Sequence, residues 1–325
     1  MQFRTELIVP PAAHRFSHGA GFLTIGSCFA EVMGNRLQQL KTPTLVNPFG
    51  TIFNPLSANK LIRAAAGEKS FLQEGLVEQH GIWHHYDFHS SFAAPTPEQL
   101  TQQLEQTLAQ VHTFLAQTDL LLLTWGTAYV YERQDTGALV ANCHKVPQKQ
   151  FRKRLLHLAE ITEDTEQTLT LLQKQYPRLR VILTVSPVRH VKDTLPGNSV
   201  SKSLLRVAAH QLEEQHSHFS YFPAYELLLD DLRDYRFYTE DLIHPSAMAE
   251  EYIWQKFLSA YADEPFHQFL KKWQEIQRDL AHRPFQPQSP AHQQFLQALL
   301  KKLQKIAAQA DVHTEIETVK RQLRT

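Results

Sequence analysis

The feature that most constrains the fold of this chain is an alternation. Short, apolar runs are separated by stretches whose apolar residues recur at helical spacing. Leu120–Leu123, inside Asp119–Trp125, and Arg180–Val185 have the length of buried strands rather than helices. Phe22–Ile25 reads as the first strand and is followed at once by Ala30–Leu40, where Val32, Met33, Leu37 and Leu40 are helically spaced. Repeated strand and helix predict an α/β fold, with a mainly parallel sheet covered by helices on both faces.

The remaining elements fit between these strands. A short strand is expected at Thr44–Val46, then a loop rich in Pro and Asn, then a helix capped by Ser57 and ended near Ala66 by Gly67. Gly75–Phe92 reads as a hairpin around Gly81, and Pro97–Gln117 as a helix. A second hairpin, Tyr129–Arg133 with Ala138–Asn142, turns at Asp135, Thr136 and Gly137. Helices are expected over Glu160–Gln175, Asn198–Gln215 and Pro245–Tyr261, and a strand at Tyr221–Glu226. After Tyr261 the composition shifts to Gln, Lys, Ala and Leu, with a break at Arg283–Pro290 and helices on either side. The expected division is therefore an α/β domain over 1–261 and a C-terminal helical extension over 262–325. The stripe Phe295, Leu296, Leu299, Leu300 and Leu303 must pack against something: its own chain is the expectation, and a homodimer contact is the alternative.

The bulk composition narrows the function classes. The 325 residues contain 33 basic and 33 acidic side chains, a formal net charge of zero. That removes the basic excess expected of a nucleic-acid binder. The two cysteines, Cys28 and Cys143, do not make a disulfide framework and fit a reducing compartment. The N-terminal residues carry no apolar core of signal-peptide length, and no stretch reaches the roughly 18 apolar residues of a membrane span. A soluble, cytoplasmic protein is the expectation.

Two segments carry chemistry. Gly26-Ser27-Cys28-Phe29-Ala30 stands at the junction of the first strand and first helix, the edge of an open α/β sheet where ligands collect. A serine there is either a helix N-cap or a nucleophile with helix-terminal amides beside it. Cys28 is a competing nucleophile, turned about 100° away if the helix includes both residues. Near the other end stands Thr239-Glu240-Asp241-Leu242-Ile243-His244-Pro245-Ser246. Activating a hydroxyl needs an imidazole to take its proton and a carboxylate to orient that imidazole, and this loop offers both.

Taken together, a Gly-Ser turn after the first strand and Asp241-x-x-His244-Pro245 before the last helix resemble the SGNH, or GDSL-like, hydrolase pattern. The string Gly26-Ser27-Cys28-Phe29-Ala30 is the signature of the GSCFA family within that group. Asn47–Pro55, Thr124–Ala128, Asn142–Lys145 and Thr184–His190 resemble the same family, over roughly residues 1–260. The resemblance implies a three-layer flavodoxin-like sandwich, Ser27 as nucleophile, Asp241 and His244 as its partners, and the amides of Ser27 and Gly50 as oxyanion donors. It implies an ester substrate and no cofactor; a carbohydrate, lipid or small-molecule ester each fits a neutral cleft bordered by His, Trp and Tyr. One block departs from the pattern: Gly126-Thr127-Ala128-Tyr129 lacks the Asn-Asp of SGNH enzymes. This leaves Thr127 or Asn142 as candidates for a third donor.

Other residues remain open at this stage. His80, His84, His85 and His89 cluster with Asp87. If a strand ran through them, His85, Asp87 and His89 would share one face as a metal set; otherwise His85 and His89 would line a substrate rim. Asn142 and His144 are expected at the cleft. Arg189, at the end of a buried strand, would hold an anionic substrate group or pair with a carboxylate below the cleft. Trp125 and Tyr129 would floor an acyl pocket or pack in the core. The leading reading is ester hydrolysis or acyl transfer through an acyl-Ser27 intermediate. The alternatives are a ligand-binding module on the same scaffold and metal-assisted hydrolysis.

Overall fold

The computed structural model of the chain describes residues 4–68 and 71–324. The first strand, β1 (Phe22–Gly26), leads into helix α1 (Cys28–Gln39) and strand β2 (Thr44–Val46). Helix α2 (Pro55–Ala65), the hairpin β3 (Leu76–Gln79) and β4 (Ile82–His85), and helix α3 (Pro97–Leu115) precede the central strand β5 (Leu120–Trp125). Next come β6 (Tyr129–Arg133), β7 (Leu139–Val140) and β8 (Phe151–Leu155), then α4 (Leu158–Gln175), β9 (Arg180–Val185), α5 (Thr194–Gln215) and β10 (Phe219–Tyr221). A short α6 (Ala224–Glu226) and α7 (Ala247–Tyr261) are followed by α8 (Glu264–Ala281), α9 (Pro290–Ile306) and α10 (His313–Arg324).

The expected parallel sheet is present. Five strands run in the order β10-β9-β5-β1-β2, and every pair is parallel. Read from β2 this is the flavodoxin-like order, whose switch point lies between β1 and β5. Every residue of β1 and β5 is buried, so both faces of the sheet are covered. The α2 helix packs on α3 and α4, and α4 on α5, forming a helical layer. Leu23, Leu123, Leu183, Phe49, Leu100 and Leu205 share its core. A smaller antiparallel sheet, β7-β6-β8, stands beyond the carboxyl end of β5.

The chain divides into two compact units, one of residues 1–9, 21–35 and 44–257, the other of 10–20, 36–43 and 258–325. In the second unit, Phe16 bridges Ala262 and sets its ring edge-on to Phe266, 5.3 Å away. Trp273 Nε1 donates to Gln39 O at 2.7 Å. The α8 helix is capped by Asp263 and α9 by Ser289, each with proline in the first turn. Of the apolar stripe on α9, Leu296, Leu299 and Leu303 are buried within this unit, and Lys302 ties α9 to Glu275 and Asp279 of α8. Among the described residues no helix is long and apolar enough to cross a membrane.

Several expected boundaries move for identifiable reasons. Asn54, not Ser57, caps α2: its Oδ1 accepts from Ser57 N at 2.9 Å, with Pro55 opening the helix. The strand expected at Tyr221–Glu226 ends at Tyr221, and Ala224–Glu226 is helical, continuing into a π-helical turn at Leu227–Leu232. Pro245 bridges back to Tyr238, leaving α7 to start at Ala247. Neither β8 nor α10 was anticipated.

One backbone position governs the central pairing. Gly26 lies opposite Thr124 in the β1–β5 ladder with φ of +141°, and a Cβ there would stand 2.1 Å from Thr124 O. Neither the conformation nor the space admits a side chain. Gly26→Ala is expected to lower stability by about 2 kcal/mol or more, seen as a drop in the urea midpoint. An unchanged midpoint would remove the close-approach argument.

Candidate active site

Ser27 sits between β1 and α1. Its amide donates to Thr124 O at 3.0 Å, and its carbonyl accepts from Ala30 N at 2.8 Å to begin the helix. The residue is 1 % exposed, and Oγ has no hydrogen-bond partner among the described residues. Beside it opens a cavity of about 350 Å3. Gly126 makes this room, because a Cβ there would lie 3.4 Å from Ser27 Cβ and 3.1 Å from the Phe53 ring. Phe53 and Asn54 form one wall, β6 and β7 another, and the segment from Ser186 to Lys192 a third. Cys28 also lines it, but burial pushes its thiol pKa up, against the pull of the first-turn amides of Phe29 and Cys28 itself.

The second element is the loop before α7. Asp241 Oδ2 and His244 Nδ1 are 2.7 Å apart. Asp241 Oδ1 accepts from Thr239 Oγ1 at 2.6 Å, Ile243 N at 2.8 Å and His244 N at 3.0 Å. These bonds, the Thr239 hydroxyl foremost and then the His244 amide and imidazole, hold the carboxyl far below the usual carboxylate range. With Nδ1 facing the carboxylate, Nε2 is the ring nitrogen left outward. Arg189 N donates to Ile243 O at 3.2 Å, tying this exposed loop to the cavity wall. Ser27 Oγ and His244 are not hydrogen-bonded to each other.

The four expected oxyanion donors are placed differently from one another. The Ser27 amide is engaged by Thr124 O, and the Gly50 amide by Asn47 O at 2.8 Å. Gly50 is also covered by His89, whose Cβ would stand 2.3 Å from a Cβ at that position. Thr127 lines the cavity, with Oγ1 accepting from Tyr129 N and lying 3.1 Å from Ser201 Oγ. Asn142 lies outside the lining and accepts from His144 N. A residue given no role from sequence, Asn54, is 4 % exposed at the cavity and gives Nδ2 to Ser57 Oγ at 3.0 Å. Its sequence signal was Asn-Pro ahead of a helix, a cap pattern.

The histidines gather elsewhere. β4 ends at His85, and Phe88 N turns back to His85 O at 3.0 Å, so no continuous strand carries His85, Asp87 and His89 on one face. His85 is fully buried, its ring 5.8 Å from Phe71 and 5.4 Å from Phe88. His144 stacks on His84 at 4.7 Å and donates to His85 O at 2.8 Å. Burial, foremost, holds the His85 and His144 imidazoles down at about 4, hence neutral at pH 7. Asp87 pairs with Lys60 at 2.7 Å. Among the described residues no three His, Cys, Asp or Glu side chains converge as a metal site. His85, His89, His144 and Trp125 do not line the cavity, and Trp125 is buried in the core; Tyr129 and Arg189 do line it.

The GSCFA family model matches residues 21–257, and the model of the GSCFA domain protein C-terminal domain matches residues 273–325. The chain belongs to the GSCFA family. The helical tail, which added nothing to the resemblance read from sequence, is thus itself matched. No curated protein matches this GSCFA chain. Among solved structures, a carbohydrate esterase family 3 protein from Talaromyces cellulolyticus is similar at 7 % identity and a TM-score of 0.36, covering 79 % of this chain and 99 % of that one. A carbohydrate esterase family 2 enzyme with a carbohydrate-binding domain, from Corynascus thermopiles (Myceliophthora fergusii), gives 12 % and 0.38, covering 81 % and 69 %. A family 3 carbohydrate esterase from Clostridium thermocellum gives 10 % and 0.32, covering 75 % and 95 %. At TM-scores below 0.5 these likenesses carry no weight for the chemistry of the site.

One further group of the GSCFA chain escaped the sequence reading. Lys202, on α5, is 1 % exposed, donates to Ser186 O at 2.7 Å and has no acidic partner among the described residues. Burial brings its ammonium down from 10.5 to about 7, with nearby Cys28 pulling weakly the other way. Because the folded value lies below the unfolded one, the unfolded chain binds more protons between pH 7 and 10.5. The penalty is carried in full below that window and relieved as pH rises through it. Urea titrations of wild type and Lys202→Met are therefore expected to move in favour of wild type from pH 7 to pH 10. Parallel curves would place the amine in water.

Proposed function

We propose that this GSCFA chain cleaves acyl esters through an acyl-Ser27 intermediate. The observation that supports this best is the Asp241–His244 hydrogen bond of 2.7 Å. Its loop is bonded to the wall of the cavity in which Ser27 Oγ has no partner. Catalytic hydrogen bonds tighten when substrate is seated, so closure of His244 onto Ser27 belongs to the reaction.

In this mechanism His244 Nε2 takes the Ser27 proton as Oγ attacks the ester carbonyl. Asp241 fixes the imidazole tautomer and stabilises the imidazolium that forms. With the Ser27 and Gly50 amides engaged, the developing oxyanion is met by the second Nδ2 proton of Asn54 and by the Cys28 amide, a first-turn donor without an intrahelical acceptor. His244 then protonates the departing alcohol, and water activated by the same imidazole releases the acid. An alcohol in place of water gives acyl transfer. Ligand binding without turnover is the second reading, and the engagement of both expected oxyanion amides favours it.

A fluorophosphonate probe is expected to label wild type and not Ser27→Ala, while both retain the same circular dichroism. Labelling that survives the substitution removes the nucleophile; no labelling of wild type favours the binding module. With an ester turned over, His244→Ala and Asp241→Asn are expected to lose about 10^3-fold or more in kcat. Because the bonds to Asp241 hold its carboxyl far below the usual carboxylate range, Asp241 stays ionised throughout the assay range and its protonation is expected to contribute nothing to the acid limb of kcat/KM. An acid limb that moves in Thr239→Val, which removes the foremost of those bonds, would contradict the assignment of Asp241.

A further inference from the structure

The cavity beside Ser27 has two unlike sides. Val130, Tyr131 and Val140, from the β7-β6-β8 sheet, and Ala141 just after β7 make one of them apolar. The segment after β9 brings Arg189, His190 and Lys192 to the other, and among the described residues no aspartate or glutamate lines the cavity. In a chain whose 33 basic and 33 acidic residues cancel, this one-sidedness does not follow from composition.

The neighbouring carboxylates are already committed. Asp193 lies between His190 Nδ1 and Lys153 Nζ, and Asp241 faces His244. His190 is held near 4, mainly by burial, and is neutral at pH 7. That leaves Arg189 and Lys192, neither of which pairs with a carboxylate among the described residues. The Arg189 guanidinium stands over the Tyr238 ring, 4.0 Å from its centroid, and 5.2 Å from that of Tyr235. Beside its hydrogen bond to the Tyr238 side chain, an arginine held by its face keeps further N–H groups at its edge for a planar or tetrahedral anion. Behind the same wall Lys202 has no acidic partner either.

Resting on the acyl-ester reading of this cavity, we propose that its ligand is an anionic ester: a short apolar acyl group seated on the β6–β7 wall, and an alcohol portion whose carboxylate or phosphate is held by Arg189 and Lys192. The volume of about 350 Å3 lies at the small end for ligand pockets, which sets the acyl group at a few carbons.

Calorimetry on the Ser27→Ala protein tests this without any chemistry. The probes are 4-(butanoyloxy)butanoate, its neutral methyl ester and 3-(butanoyloxy)propyl phosphate. At least one anion is expected to bind about tenfold or more tighter than the neutral ester, and the tighter of the two names the group. That preference is expected to fall in Lys192→Gln and in Arg189→Gln on the same background, and in about 0.5 M sodium chloride. Lys192 is exposed, so its substitution leaves the fold alone. Equal or tighter binding of the neutral ester, a preference that survives both substitutions, or no binding of any probe overturns the proposal. Failure of the ester reading itself appears separately, as wild type that the fluorophosphonate does not label.

Discussion

The pairing of β1 with β5 is the constraint on which the site depends. Where Gly26 lies against Thr124, the absence of a side chain lets the two strands meet at their carboxyl ends, and Thr124 O takes the amide of Ser27. From this point the loops are knitted largely by main chain, with Asn47 Nδ2 adding a bond to Ser27 O at 3.4 Å. Gly26 O accepts Ile52 N at 2.9 Å, and Phe53 O accepts Gly126 N at 2.7 Å and Thr127 N at 3.0 Å. The surroundings of the serine thus rest first on the backbone, on one glycine and four carbonyl bonds.

The Asp241–His244 pair is held on another principle. Asp241 and His244 are both about half exposed, where an ion pair alone contributes little. Order comes from density instead: both oxygens of one carboxylate are occupied by donors within five residues of chain. Leu242 takes a φ of +58° so that the loop can close on that carboxylate. The buried serine opens on a cavity, and the self-supporting loop is joined to the wall of that cavity through Ile243.

Much of this was legible. The apolar runs betrayed the parallel strands because a strand buried on both faces has no polar periodicity to hide behind. Ser27, Asp241 and His244, on which the proposed mechanism rests, stood out in sequence because turn, cap and loop residues obey local rules. The failures were non-local. β8 reads Phe151-Arg152-Lys153-Arg154-Leu155, a charged string with no strand signature; it becomes one because Glu132 on β6 takes both Arg152 and Arg154, and Lys153 reaches Asp193. Lys202 looks like any helix-surface lysine until tertiary packing buries it. The histidine hairpin looked like a ligand set because sequence places residues side by side, whereas the turn at Phe88 sends His85 inward and His89 onto Gly50. Whether an amide is spare, as at Gly50, depends on a loop conformation that spacing does not encode.

The topology of the sheet has a kinetic corollary. The Gly21 amide and the Asp119 carboxylate that open the β1–β5 ladder are 98 residues apart in sequence, and β1 acquires its β5 neighbour only after that loop has closed. Rates of folding fall as contacts become more distant along the chain. The helices are free to form early, but the pocket, drawn from five separate stretches, can exist only once the central pairing is complete. On a ribosome the chain must therefore hold its unpaired β1 edge until β5 has emerged, and this interval is when the protein is most exposed to aggregation.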